Sequence, residues 1–152
     1  MKKTSMPDLE EFKAMLRSKD LKSTPQRLAV HEAMMALVHA NAEQVTGYLR
    51  VNSKTEITLT SVYNVLNQMT EAGIYAKRTS QDNRMYFDIN AFNHVHLYDE
   101  VNHVFMDFDD RGLLELVAKA MGGRKMKGYT MDHADIQVIC RPTRKKKRSI
   151  PV

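Results

Sequence analysis

At 152 residues, with 43% hydrophobic and 27% charged side chains, the chain is sized for one or two small domains with ordinary cores, and wholesale disorder is excluded. No apolar run approaches the roughly 18 to 20 residues that cross a bilayer. The net charge of +5 belongs to the tail: six of the 23 basic residues fall in 141–148, and without them 17 basic residues face 18 acidic ones.

The first residues turn acidic where a signal peptide would need its apolar segment, so a cytoplasmic protein without a membrane partner is expected. The basic tail either binds polyanions non-specifically or is a solvated end. Cys140 is the one cysteine, which rules out an intrachain disulfide and a four-cysteine zinc site.

Residues 8–18 read as a short charged helix opened by Pro7. Thr24 and Pro25 supply an N-cap and first helical position for a second helix, with Val30, Ala33, Met34 and Leu37 on its buried face. A third covers 42–50, with Val45 and Leu49 one turn apart. Thr58 caps a fourth over 59–72, stopped by Gly73. Leu59, Val62, Leu66 and Met69 form its apolar stripe, while Thr60, Asn64, Asn67, Gln68 and Glu71 stay polar. Two short strands, 74–79 and 85–89, flank a polar turn and read as a hairpin.

Helices followed directly by a hairpin describe a winged helix-turn-helix, whose last helix enters the DNA major groove while the wing follows the backbone. The competing reading is a protein-docking module of the same shape. Beyond residue 90 the pattern becomes strands over 93–98 and 101–108, an amphipathic helix carrying Leu113, Leu116, Val117 and Ala120, and a strand holding Ile136, Val138 and Cys140. About 50 residues hold too little core to stand alone, so this unit is expected to dimerise. The expected fold class is α+β: a winged-helix domain at 1–90, a small α/β dimerisation domain at 91–141, and a basic tail at 142–152.

His94 and His96, two apart on one strand, leave the same face. With Asp88 and Asp107 nearby they form a donor set suited to iron(II), manganese(II) or zinc(II). His94 and His96 with Asp99 also fit a small metal-dependent hydrolase. Against that stand the short chain and the lack of further ligand motifs, so no enzyme is expected. His31 and His103 read as surface or satisfied histidines, and the eleven methionines as core filler.

Three motifs in order then carry a family resemblance. The stretch 21–28 (Leu-Lys-Ser-Thr-Pro-Gln-Arg-Leu) resembles the opening of the second helix in the ferric uptake regulator family. Residues 58–67 (Thr-Leu-Thr-Ser-Val-Tyr-Asn-Val-Leu-Asn), followed by Glu71-Ala72-Gly73-Ile74, resemble its recognition helix and wing entry. Asn93-His94-Val95-His96 resembles its histidine-rich linker.

The resemblance implies a homodimeric, metal-responsive repressor of palindromic operators in double-stranded DNA. It nominates His39, Asp88, His94, His96 and Asp107 as ligands of one regulatory cation per subunit, fixing the angle between the two domains. It also implies DNA contacts from Lys22, Thr60, Ser61, Tyr63 and Asn64. An aspartate at position 107 is similar to the peroxide-sensing branch, in which iron(II) reacts with peroxide and a ligand histidine, here His39 or His94, is oxidised.

Two departures stand out. The family's structural zinc uses two Cys-x-x-Cys pairs, which fall here at Asp99 and Asn102 and at Cys140 and Thr143. That site is expected to be absent, with a degenerate site at Asp99, Asn102 and Cys140 as the remote alternative. Asn64 replaces a common arginine, exchanging a guanine contact for an adenine one.

Overall fold

A computed structural model describes residues 6–91, 94–131 and 133–144; the basic run after Arg144 lies outside them. The fold is α+β and, among the described residues, divides into two compact units, 6–91 and 94–144.

The first unit opens with α1 (Leu9–Ser18), held at its start by a capping box between Asp8 and Glu11. In α2 (Pro25–Leu37) the Thr24 hydroxyl accepts the Arg27 N–H, and Pro25 sits where no amide partner is needed. Asn41 and Gln44 form a second capping box on α3 (Ala42–Asn52). Thr58 caps α4 (Leu59–Glu71), and Gly73 follows at φ +75, a conformation that favours glycine.

Apolar stripes at helical spacing bury Phe12 and Leu16 of α1, Val30 and Met34 of α2, Val45 and Leu49 of α3, and Val62, Leu66 and Met69 of α4 in one core. Fully burying a side chain of this size contributes about 1.5–3 kcal/mol. Ile74 and Tyr75, expected as strand, instead turn into that core.

The wing is β2 (Ala76–Thr79) antiparallel to β3 (Met85–Asp88). Its turn closes through the Ser80 N–H to the Arg84 carbonyl, with Asn83 at φ +66. A strand the sequence reading did not contain, β1 (His39–Ala40), pairs with the other edge of β3 to give the order β1-β3-β2. One residue, Val38 at φ +63, turns the chain from α2 into β1. Its N–H closes the last turn of α2 on Met34, and its carbonyl accepts the Ile89 N–H.

His31 lies within this core. Its ring stacks on Phe12 at 3.9 Å, one nitrogen meets the Tyr75 hydroxyl at 2.7 Å, and the other donates to the Pro7 carbonyl at 2.9 Å. The donation to Pro7 leaves the other nitrogen to accept from Tyr75. Burial holds the imidazole below its ordinary range despite the raising influence of Pro7 and Asp8, and burial likewise pushes the Tyr75 phenol up.

In the second unit β4 (Val95–Asp99) is central, antiparallel to β5 (Val104–Phe108) and parallel to β6 (Ile136–Cys140). The parallel pairing requires a crossover, supplied by α5 (Arg111–Met121). Asp110 caps α5, yet none of its residues is buried.

Candidate functional site

Strand register assembles the candidate ligands. In the first unit Asp88 ends the central strand of the three-stranded sheet, and β1 places His39 directly opposite it. Their side chains meet, His39 Nε2 to Asp88 Oδ2, at 3.2 Å, and Asp88 Oδ1 accepts the Asn90 N–H at 2.9 Å. In the second unit His96 and Asp107 are register partners across β4 and β5, and His94 lies two residues before His96 on the same face. His94 Nε2 stands 2.9 Å and His96 Nε2 3.5 Å from one oxygen, Asp107 Oδ1, with the two rings 4.0 Å apart.

Imidazole and carboxylate donors in these combinations match iron(II), manganese(II) or zinc(II). The residues present fit such an ion: two imidazoles already converge on one carboxylate oxygen, and Asp88 is a buried carboxylate.

The sequence reading missed Arg78. It reaches Asp88 Oδ2 from β2 at 3.4 Å, and its side chain is only 8% exposed. Ala76 is the register partner of Asp88, which makes Arg78 the diagonal neighbour on the same face. The available signal was the alternation of β2, which turns Ala76 and Arg78 to one side and Lys77 and Thr79 to the other.

The positions of the family's first cysteine pair hold no metal ligand set of that kind. Asp99 Oδ1 accepts the backbone amides of Val101 and Asn102 at 2.9 and 3.1 Å, and Oδ2 accepts from the Asn102 side chain at 2.8 Å. Cys140, the register partner of Asp99, donates its thiol to the Tyr98 carbonyl at 3.5 Å. A hydrogen-bonded turn therefore occupies that place. His103, in the same turn, is exposed and meets the Tyr98 hydroxyl at 3.1 Å; His133 lies by the groove beside α5.

The polar face of α4 is exposed at Thr60, Tyr63, Asn64 and Gln68. Lys22 is exposed just before α2, and Arg27 ties α2 to α4 by donating to Gln68 Oε1 at 3.3 Å. Tyr63 leans edge-on toward Phe87 of the wing, ring centroids 6.2 Å apart. Ser61 is only half-buried and its hydroxyl accepts from Thr58 at 3.0 Å, so it serves the helix cap. The face offers hydrogen-bonding groups without cations.

Comparisons with known proteins agree with this architecture. The chain is 27% identical over 142 residues to the peroxide-responsive repressor PerR of Staphylococcus aureus (strain Mu50 / ATCC 700699), covering 91% of this chain and 93% of that one. The solved Vibrio cholerae ferric uptake regulator, described for a rearrangement of its DNA-binding domains, superposes with a TM-score of 0.69 at 21% identity, over 86% of this chain and 99% of that one. The Helicobacter pylori ferric uptake regulator, described with three functional metal-binding sites, gives 0.69 at 16% identity over 93% and 95%. The model of the ferric uptake regulator family matches residues 18–139. On that match, with the winged helix and the histidine–carboxylate clusters in place, the chain belongs to the ferric uptake regulator family.

Proposed function

We propose that the chain is a metal-dependent, DNA-binding transcriptional repressor that works as a cytoplasmic homodimer and is not an enzyme. The observation that carries the reading is the pair of imidazoles, His94 and His96, converging on Asp107 in a chain whose other unit is a winged helix. Among the described residues no helix is long and apolar enough to cross a membrane.

His39 and Asp88 offer two donors and His94, His96 and Asp107 three, whereas a divalent transition ion takes four or more. We assign all five to one cation per subunit, iron(II), manganese(II) or zinc(II). When bound, such an ion supplies a positive centre that imidazole nitrogens and carboxylate oxygens share. The chain's own residues do the rest. Register holds His39 against Asp88 and His96 against Asp107, so each half presents a preset pair and little ordering remains to be done on binding.

Residues 1–90 are assigned to DNA binding, 91–141 to dimerisation and 142–152 to a polyanion-attracting tail. Thr60, Ser61 and Asn64 would lie on the DNA-facing side of α4, with Asn64 toward an adenine, Tyr63 would meet a thymine or a phosphate, and Lys22 would reach the minor groove. A coupling of about 1–3 kcal/mol between ion and operator would change DNA affinity roughly 5- to 150-fold. Membership in this family supports a regulator and leaves the hydrolase reading without support.

The test is selection from a randomised duplex pool by the purified protein, with manganese(II) and with chelator. Enrichment of a palindromic sequence in manganese(II) alone is expected; equal recovery in both conditions contradicts metal dependence. Repeating the binding with iron(II)-loaded protein and peroxide separates two signals. Loss of DNA binding supports a peroxide response, as in the PerR relative, and persistence supports a metal-level sensor.

A further inference from the structure

Asp88 is buried, and its Oδ2 atom is contacted from two sides. His39 approaches across β1 at 3.2 Å and Arg78 across β2 at 3.4 Å. The small side chain of Ala76, directly opposite Asp88 on β2, leaves the diagonal path open for Arg78. A guanidinium stays charged under all ordinary conditions and is more weakly hydrated than an ammonium, so it tolerates this burial. The contact is longer than the 2.7–2.9 Å of a strong charged pair. The chain thus carries a fixed cation on the very oxygen that a metal ligand must offer.

We propose that Arg78 is a built-in competitor for the regulatory cation: its guanidinium neutralises Asp88 when the ion is absent and must yield part of that carboxylate when the ion binds. The proposal rests on the reading of His39 and Asp88 as ligands. Two consequences of opposite sign follow. Without the ion, Arg78 stabilises the first unit, because a buried carboxylate that loses a charged neighbour is strongly disfavoured. With the ion, two positive charges share one carboxylate at low effective dielectric, which weakens binding. Arg78 would set the metal concentration at which the regulator responds, raising it above what the five ligands alone would give.

The experiment is a manganese(II) titration of the full-length apoprotein, wild type against Arg78→Gln, Arg78→Lys and Asp88→Ala, with thermal melting of each in chelator. Arg78→Gln should bind manganese(II) at least about tenfold more tightly while its apo form melts several degrees lower. Arg78→Lys, which keeps the charge, should stay within about threefold of wild type. A merely structural arginine would lower both quantities together in Arg78→Gln, and that result, or an unchanged affinity, overturns the proposal.

The companion measurement needs no variant to fold. In wild-type protein with 15N-labelled arginine, the Arg78 side-chain signal should shift on saturation with diamagnetic zinc(II); an unmoved signal counts against competition. Asp88→Ala separates this inference from the reading beneath it. If that variant keeps wild-type manganese(II) affinity, Asp88 is not a ligand and the reading of the site fails. If it loses manganese(II) while Arg78→Gln binds as wild type, only the competition fails.

Discussion

The two units solve the same problem differently. The first closes its own core: four helices and a three-stranded sheet bury Phe12, Leu16, Val30, Met34, Leu66, Met69 and Phe87 together. The second does not. Among the described residues its buried apolar side chains are few, Val95, Tyr98 and Phe105, and α5 buries none of its own. Leu116 is 64% exposed, Tyr129 74%, and Val138 and Ile139 on the edge strand β6 are also open. An apolar groove between α5 and the following loop is lined by Leu114, Val117, Met121, Met126, Met131 and Ile136. A self-sufficient unit suits a DNA reader, and an unfinished one suits a dimerisation element whose missing partner is a second copy.

The sharpest break of that contrast is Leu116→Asp. On a surface that stayed solvated it would change stability by no more than about 0.5 kcal/mol. At the centre of a dimer interface it should cost about 2 kcal/mol or more, weakening self-association about 30-fold. Sedimentation equilibrium decides, and a dimer of unchanged affinity would place the interface elsewhere.

A smaller effect probes the closed unit. Because burial depresses the His31 pKa below its usual 6.5, the unfolded chain binds more protons than the folded one as pH falls below that value. The stability is fully present above about pH 6.5 and is lost progressively as pH drops toward the folded pKa. Melting of the first unit should decline over that window, and His31→Gln should flatten the decline relative to wild type. An identical slope in both proteins would assign the acid sensitivity to other groups.

Much of the fold was legible because its signals are local. Thr24, Thr58 and Gly73 mark helix ends by backbone chemistry that needs no tertiary information, and the two-residue spacing of His94 and His96 fixes a shared face. What escaped is non-local. β1 has two residues, too short for any alternation, and its turn is a valine at φ +63, a residue that rarely adopts such a backbone. Arg78 escaped because alternation along β2 separates it from Lys77, while only the pairing with β3 reveals which of them turns inward to Asp88. His31 interrupts an otherwise apolar stripe, and only the placement of α1 against Tyr75 shows that it belongs to the core. The Asp99 turn reads as a damaged zinc site until its amide donors are seen.

The most direct measurement is the number of manganese(II) ions bound per subunit at equilibrium in wild type, His39→Ala and His96→Ala. One ion shared by both units predicts about one per subunit in wild type and loss of that same ion in each variant, though the two residues sit in different units. Retention of a full-affinity ion in either variant would mean that the two histidines do not serve one site, and metal control of DNA binding would need another origin.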